Sequence, residues 1–128
     1  MAIDDADTLA RYVLDHDHYS RTKNKLRPRV FLPPADLRLS VFVTTALNDG
    51  EVTDIGQREV AEPCGRTLHG WAHLDAGRVR VAGLDVISHE PPVWHAHIVG
   101  WPVDKDARTA RAQELARVAD LCLLPRPA

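Results

Sequence analysis

The sequence is poor in the residue types that mark several common protein classes. It has two cysteines, Cys64 and Cys122, which are too few for a disulfide scaffold, so a reduced cytoplasm is the expected compartment. No apolar run approaches the roughly 20 residues of a membrane span, so we expect no membrane partner. The N-terminus is acidic and lacks a basic segment followed by an apolar one, which argues against a secretory signal.

Familiar catalytic motifs are also missing. The chain contains no His-Glu-x-x-His, Cys-x-x-Cys, Walker, Gly-x-Gly-x-x-Gly or nucleophile-elbow pattern. Its 128 residues are about half of a (β/α)₈ barrel, so the His-Ala-His-Ile at 95–98 is not the metal-binding strand of an amidohydrolase. The same segment is similar to the histidine-triad nucleotide hydrolases, but Val99 stands where their next histidine would be.

What is present is the composition of one globular domain, with 45% hydrophobic and 27% charged residues. Residues 4–16 favour a helix because Ala6, Leu9, Ala10 and Val13 recur at helical spacing. Clean alternation over 37–45 predicts a strand with one core face. The further predicted elements are a short helix at 50–61, a hairpin of strands 68–74 and 78–86, a strand at 93–99, a last helix running to about Leu123 and a loose tail at 124–128.

This order predicts a small single α+β domain over residues 1–128. Strands adjoin one another in the middle of the chain instead of alternating strictly with helices. We therefore expect a mainly antiparallel sheet with about three helices packed on one face.

Five of the seven histidines lie between residues 69 and 97. Strand alternation places His95 and His97 on one face, and His69 on one face with His73. Residues two apart on a strand are about 6.6 Å apart at Cα, close enough to share one divalent metal ion or one phosphate. If the two strands adjoin, His69, His95 and His97 become candidate acid/base groups or metal ligands, with His89 near enough to join them. The alternative is a polar outer face of a half-exposed sheet.

Basic residues occupy every second position from 21 to 29. They are Arg21, Lys23, Lys25, Arg27 and Arg29. In an extended segment all five project from one side, which suits a phosphate backbone or an acidic protein surface. The alternative is a solvated loop neutralised by the five aspartates upstream, and the net charge of -2 counts against a dedicated nucleic-acid binder.

Trp101 and Lys105 follow the strand that carries His95. Lys105 lies near the start of the last predicted helix, where a lysine opposes the helix dipole unless an anion binds there. Trp101 either shapes a ligand pocket or fills the core.

One long segment resembles an uncharacterised family of small bacterial proteins. It is Glu90-Pro91-Pro92-Val93-Trp94-His95-Ala96-His97-Ile98-Val99-Gly100-Trp101-Pro102, and it is joined by Arg29-Val30-Phe31, Ser40-Val41-Phe42 and Lys105. The resemblance covers nearly the whole chain. It implies a bacterial, cytoplasmic, single-domain protein, and it carries no catalytic residue across.

Three functions are consistent with these patterns. The first is a binding or accessory module that recognises a nucleotide, a nucleic acid or an acidic surface. Its predicted ligand-binding residues are Arg21, Lys25, Arg29, Trp101 and Lys105. The second is a hydrolase of phosphoester-type substrates in which His95, His97 and His69 act with a divalent metal or as acid and base. The third is a self-associating structural protein, such as a homodimer.

Overall fold

A six-stranded antiparallel sheet organises the molecule in the computed structural model, which describes residues 2–125. The strands are β1 (Thr8–Val13), β2 (Tyr19–Ser20), β3 (Lys25–Leu26), β4 (Leu39–Val43), β5 (Gly70–Asp75), β6 (Asp85–Ser88), β7 (His95–Val99) and β8 (Asp120–Leu123). The α-helices are α1 (Asp49–Ile55), α2 (Glu62–Cys64), α3 (Ala76–Val81) and α4 (Lys105–Val118). The sheet order is β6-β7-β4-β1-β5-β8, and β2 pairs with β3 in a separate small hairpin. The predicted α+β class is confirmed.

Both faces of the sheet are covered, which corrects the expectation of helices on one face. The main core packs β-strand residues such as Leu9, Val41 and Ile98 against α3, α4 and a 3-10 turn at Pro28–Phe31. A second, smaller core forms on the opposite face, where α1 packs over Tyr12 and Phe42. Between α1 and α2 the helix widens into a π-helical turn at Gly56–Ala61.

The predicted helix at 4–16 is wrong, because this segment contains the central strand β1. Leu9 and Val13 enter the main core, while Ala10 and Tyr12 enter the second core on the other face. A strand that is buried on both faces shows no alternation of apolar and polar residues, so its sequence imitates a helical stripe.

The predicted hairpin at 68–86 is also wrong in its second half. Ala76 and Val79 are buried and Val81 is 79% exposed, a three-residue period that belongs to the helix α3. The chain then pairs as β6 with β7, at the opposite end of the sheet from the expected partner.

The last helix is shorter than predicted, and the chain that follows it returns to the sheet. Asp104 caps α4 by accepting a hydrogen bond from the Ala107 amide at 2.9 Å, as expected for this position. The helix ends at Val118, and the residues expected to complete it form the edge strand β8. Of the predicted loose tail, Leu124 is half-buried and its amide donates to the His69 carbonyl, while 126–128 lie outside the described residues.

Across residues 2–125, every helix is too short or too polar to cross a membrane.

Candidate functional site

Strand β7 places two histidines on the sheet face opposite the main core. Ala96 and Ile98 point into that core, so the alternating residues His95 and His97 point the other way. His95 is paired with Phe42 on β4, and its ring lies 5.2 Å from the Phe42 ring.

The loop before β7 returns a third histidine to the same place. The His89 amide donates to the His95 carbonyl at 2.8 Å, which closes the loop at its base. At its tip the Glu90 carboxylate accepts from the Trp94 amide at 3.0 Å, and Trp94 has a φ of 72° that few side chains tolerate. This closed loop stacks the His89 ring on the His97 ring, with centroids 4.2 Å apart.

We call the group formed by His89, His95 and His97 the histidine centre. One ring nitrogen of each residue lies within 4.8 Å of a ring nitrogen of the other two. Nitrogens bound to one tetrahedral zinc ion are about 3.3 Å apart, because each Zn–N bond is 2.0–2.1 Å long. Binding of one ion would bring these nitrogens closer together by rotation of side chains, of which His89 is exposed and His95 half-buried.

The contacts of His95 favour one tautomer. Its Nδ1 lies 2.8 Å from the His89 carbonyl oxygen, which can only accept, and 3.2 Å from Nδ1 of His89, so a neutral ring satisfies the carbonyl with its proton on Nδ1. Its Nε2 then keeps a lone pair, which faces the Ser40 hydroxyl at 3.2 Å. A backbone carbonyl that receives one N–H of an imidazole is the usual means of orienting the other nitrogen toward a metal.

His97 is the buried member of the histidine centre. It is only 8% exposed, and its Nδ1 has no hydrogen-bond partner among the described residues. Burial lowers the pKa of His97, and the neighbouring His89 and His95 lower it further. The neutral ring therefore has an unused lone pair or N–H at Nδ1, and the rings of His89 and His95 lie beside it.

His69 does not join the histidine centre. It precedes β5, which is separated from β7 by β1 and β4, a distance of roughly 14 Å across the sheet. Instead, its Nδ1 meets the Tyr19 hydroxyl at 3.1 Å beside a cavity of about 490 Å³ that Arg21 also lines. The structure thus brings together a predicted histidine and a predicted arginine that the sequence had assigned to different sites.

The expected basic row does not form, because residues 21–24 make a turn of the β2–β3 hairpin. Lys25 lies on β3 and Arg29 in the 3-10 turn that follows, both exposed. The hairpin borders the C-terminal end of α4, whereas Lys105 is at its N-terminal end, about 20 Å along the helix axis. The two parts of the predicted anion-binding surface are therefore far apart.

Neither residue predicted near the last helix has the surroundings of a ligand site. Trp101 is 5% exposed, and its Nε1 donates to the Ile98 carbonyl at 3.0 Å, so it is a core residue. At the start of α4 the carboxylate of Asp104 already occupies the place of an anion, beside the exposed Lys105.

Sequence reasoning missed Ser40 as a site residue and missed the contact between Tyr19 and His69. Ser40 has one available signal, since it is a polar residue in the alternating stretch of β4 and therefore shares the face of any histidine on the next strand. The contact between Tyr19 and His69 has none, because the two residues are 50 positions apart in the chain.

No protein-family model, curated protein or solved structure matches this chain. The resemblance to small bacterial proteins and the cytoplasmic compartment therefore stay predictions.

Proposed function

We propose that the protein binds a transition-metal ion at the histidine centre and uses it to hydrolyse phosphoester-type substrates. The observation that carries the proposal is the Nδ1 of His97, a buried polar atom without a partner next to two further imidazoles. An unpaired buried polar group costs about 1–3 kcal/mol, and a bound metal ion would offset that cost.

The ligand set favours zinc among the common metals. Imidazole suits zinc, copper, nickel and iron, whereas calcium and magnesium prefer oxygen. His89, His95 and His97 would hold the ion and leave room for one water molecule, whose pKa zinc would lower to about 7. The ion would in this way supply a nucleophile at neutral pH.

The charge beside the centre suits an anionic substrate. The guanidinium of Arg38, which precedes β4, is near enough to lower the pKa of His97, although Asp36 acts in the opposite sense. Arginine matches the oxygens of a phosphoester in charge and in hydrogen-bonding geometry.

A second candidate mechanism uses the same cluster without metal. The Ser40 hydroxyl lies 3.2 Å from Nε2 of His95, whose other nitrogen is held by the His89 carbonyl. A nucleophile, a base and a group that orients the base are the elements of covalent hydrolysis. In this scheme the Ser40 oxygen attacks phosphorus while His95 takes the hydroxyl proton, and His95 returns that proton to the alcohol oxygen that leaves. A water molecule that His95 deprotonates then displaces Ser40 from phosphorus and releases the phosphate.

A measurement of zinc binding tests whether the histidine centre holds a metal ion. Untagged protein stripped with EDTA is titrated with zinc in a calorimeter, as wild type and as His89→Gln, His97→Gln and His73→Gln. We expect one zinc per chain, about 100-fold weaker binding in the first two variants, and no change in His73→Gln, whose histidine lies on β5 outside the centre. Wild-type affinity in both His89→Gln and His97→Gln contradicts the metal site.

Hydrolysis of bis(p-nitrophenyl) phosphate then distinguishes the mechanisms. Metal-dependent turnover that is lost in His97→Gln and kept in Ser40→Ala supports the first mechanism. Turnover that persists in EDTA and is lost in Ser40→Ala supports the second. If neither zinc nor EDTA gives turnover above background in the wild type, the hydrolase proposal is wrong.

An anionic protein or nucleic-acid partner and a homodimer remain proposals with weaker support. The exposed Lys25 and Arg29 favour the first, and the edge strands β6 and β8 favour the second because an edge can pair with another chain.

A further inference from the structure

A second candidate site lies near β5 and β8, at the opposite edge of the sheet from β7 and the histidine centre. A cavity of about 490 Å³ opens where the β2–β3 hairpin meets the π-helical turn, the start of β5 and the end of β8. We call it the polar cavity. Its lining residues are Tyr19, Arg21, Gln57, Thr67, Leu68, His69, Leu124 and Pro125.

We propose that the polar cavity binds a small organic anion, a phosphate or carboxylate group carried on a compact apolar body. The inference is independent of the proposed hydrolase, since the two sites share no residue. The volume lies within the range of small-molecule sites, which are about 300–1,000 Å³.

The polar end of the cavity is built from hydrogen-bond donors. Tyr19 is only 8% exposed, and its hydroxyl is 3.1 Å from Nδ1 of His69. When this hydroxyl donates to Nδ1, the neutral ring carries its remaining proton on Nε2 as a donor. The Thr67 hydroxyl and the Gln57 amide add two more donors to the same lining.

One unpaired cation lies at the cavity. The guanidinium of Arg21 forms no ion pair or side-chain hydrogen bond within the described part of the chain. Arg66 also acts on His69 with positive charge, but it lies 3.6 Å from Asp15, whose carboxylate acts in the opposite sense. Arg21 is thus a cation available to pair with an anionic group.

Part of the lining is apolar. Leu68 is 5% exposed, and Leu124, Pro125 and the Tyr19 ring add further hydrocarbon. A lining that combines hydrocarbon with a few polar groups is typical of a site for a small organic ligand. The π-helical turn that contributes Gln57 is of a kind often found at functional sites.

Binding of phenyl phosphate and benzoate tests the proposal. Each is titrated into ¹⁵N-labelled full-length protein in EDTA and 150 mM salt, with benzyl alcohol and inorganic phosphate as comparators. We expect saturable shifts at residues 57 and 67–69, and at least tenfold weaker binding of benzyl alcohol. Whichever of phenyl phosphate and benzoate binds more tightly identifies the acidic group that the cavity prefers. Comparison with inorganic phosphate shows how much the apolar body contributes to the affinity.

Matched variants decide whether the cavity itself is responsible. Arg21→Gln should weaken binding of the anion at least tenfold, while Lys23→Gln, the same charge change on the same hairpin, should stay within twofold. Tyr19→Phe should weaken binding and change the ¹⁵N shifts of the His69 ring, because the ring loses its Nδ1 partner. Equal losses in Arg21→Gln and Lys23→Gln, or no saturable shift with any anion, overturn the proposal.

The same titration in His97→Gln keeps the two proposals separate. Unchanged anion affinity in this variant is expected whether or not the histidine centre binds zinc. Loss of anion binding in His97→Gln would contradict an independent second site.

Discussion

His97 combines two properties that rarely coexist in a protein core. It is buried, yet one of its ring nitrogens lacks a partner in the described structure. Stability alone favours an apolar residue at such a position, because the imidazole is desolvated without compensation. Binding of a metal ion would explain why a histidine occupies this position, whereas the stability of the fold does not.

Replacement of His97 by leucine should separate stability from metal binding. We expect His97→Leu to raise the free energy of unfolding of EDTA-treated protein by about 1 kcal/mol, because an unpaired buried nitrogen is removed. Zinc, which raises the melting temperature of the wild type in the proposed scheme, should have no such effect on the variant. Urea unfolding and thermal melts with and without zinc measure both quantities.

His73→Leu is the matched control for this substitution. His73 is half-buried on β5, outside the histidine centre, so its replacement should leave the zinc-dependent rise in melting temperature intact. A large destabilisation of EDTA-treated His97→Leu would show instead that the imidazole has a structural partner.

At the scale of elements, the pairing of β5 with β8 leaves no room for a side chain at Gly70. Gly70 has a φ of 154° and is paired with Leu123, and an added Cβ would collide with the carbonyl oxygen of Cys122. The same join positions His69, whose carbonyl accepts a hydrogen bond from the Leu124 amide at 2.9 Å. The glycine at the start of β5 thus allows the close pairing that places His69 beside Leu124, two residues that line the polar cavity.

Gly70→Ala should therefore destabilise the protein by about 2 kcal/mol or more, since a backbone group must move to admit the methyl group. It should also weaken anion binding in the polar cavity, because β8 carries the rim. Urea unfolding and the phenyl phosphate titration measure these effects.

Gly65→Ala is the control for Gly70→Ala, because it introduces backbone strain without a steric collision. Gly65 has a φ of 62°, and an added Cβ would meet no atom within 4 Å. We expect a loss of about 1 kcal/mol and unchanged anion binding. Equal destabilisation in both variants would mean that the collision at Gly70 is relieved without cost.

The elements differ in how far the sequence predicted them. β4 and β7 were predicted because each has polar residues on one face. β1 was missed because both of its faces are buried, and a period of two then disappears from the hydrophobicity. Local pattern therefore failed at the centre of the sheet, where tertiary burial is greatest.

For the whole molecule, the histidines give stability a dependence on pH. Burial is the main cause that lowers the pKa of His18 and of His69, both remote from the histidine centre. The folded protein then binds fewer protons than the unfolded chain between these lowered values and about 6.5. The resulting contribution to stability is full above pH 6.5 and falls as the pH decreases below it.

We therefore expect the free energy of unfolding of EDTA-treated protein to decrease between pH 7 and pH 5.5. This range lies above the titration of the carboxylates, whose ordinary pKa values are near 4. Urea unfolding at half-unit pH steps measures the decrease, and the double variant His18→Gln, His69→Gln should reduce it. The part due to His97, whose pKa burial also lowers, should remain. A profile that is unchanged in the double variant would assign the decrease to other groups.

The sequence by itself determined the class of the fold, which follows from the order of strands and helices along the chain. It also determined that His95 and His97 share one face of β7, because side chains alternate between the faces of a strand. Only the tertiary structure decided which histidines meet. His89 joins the centre through a loop closed by backbone hydrogen bonds, and His69 is kept away by the two strands between β5 and β7. Strand order depends on packing between segments far apart in the chain, and residue spacing along one strand does not record it.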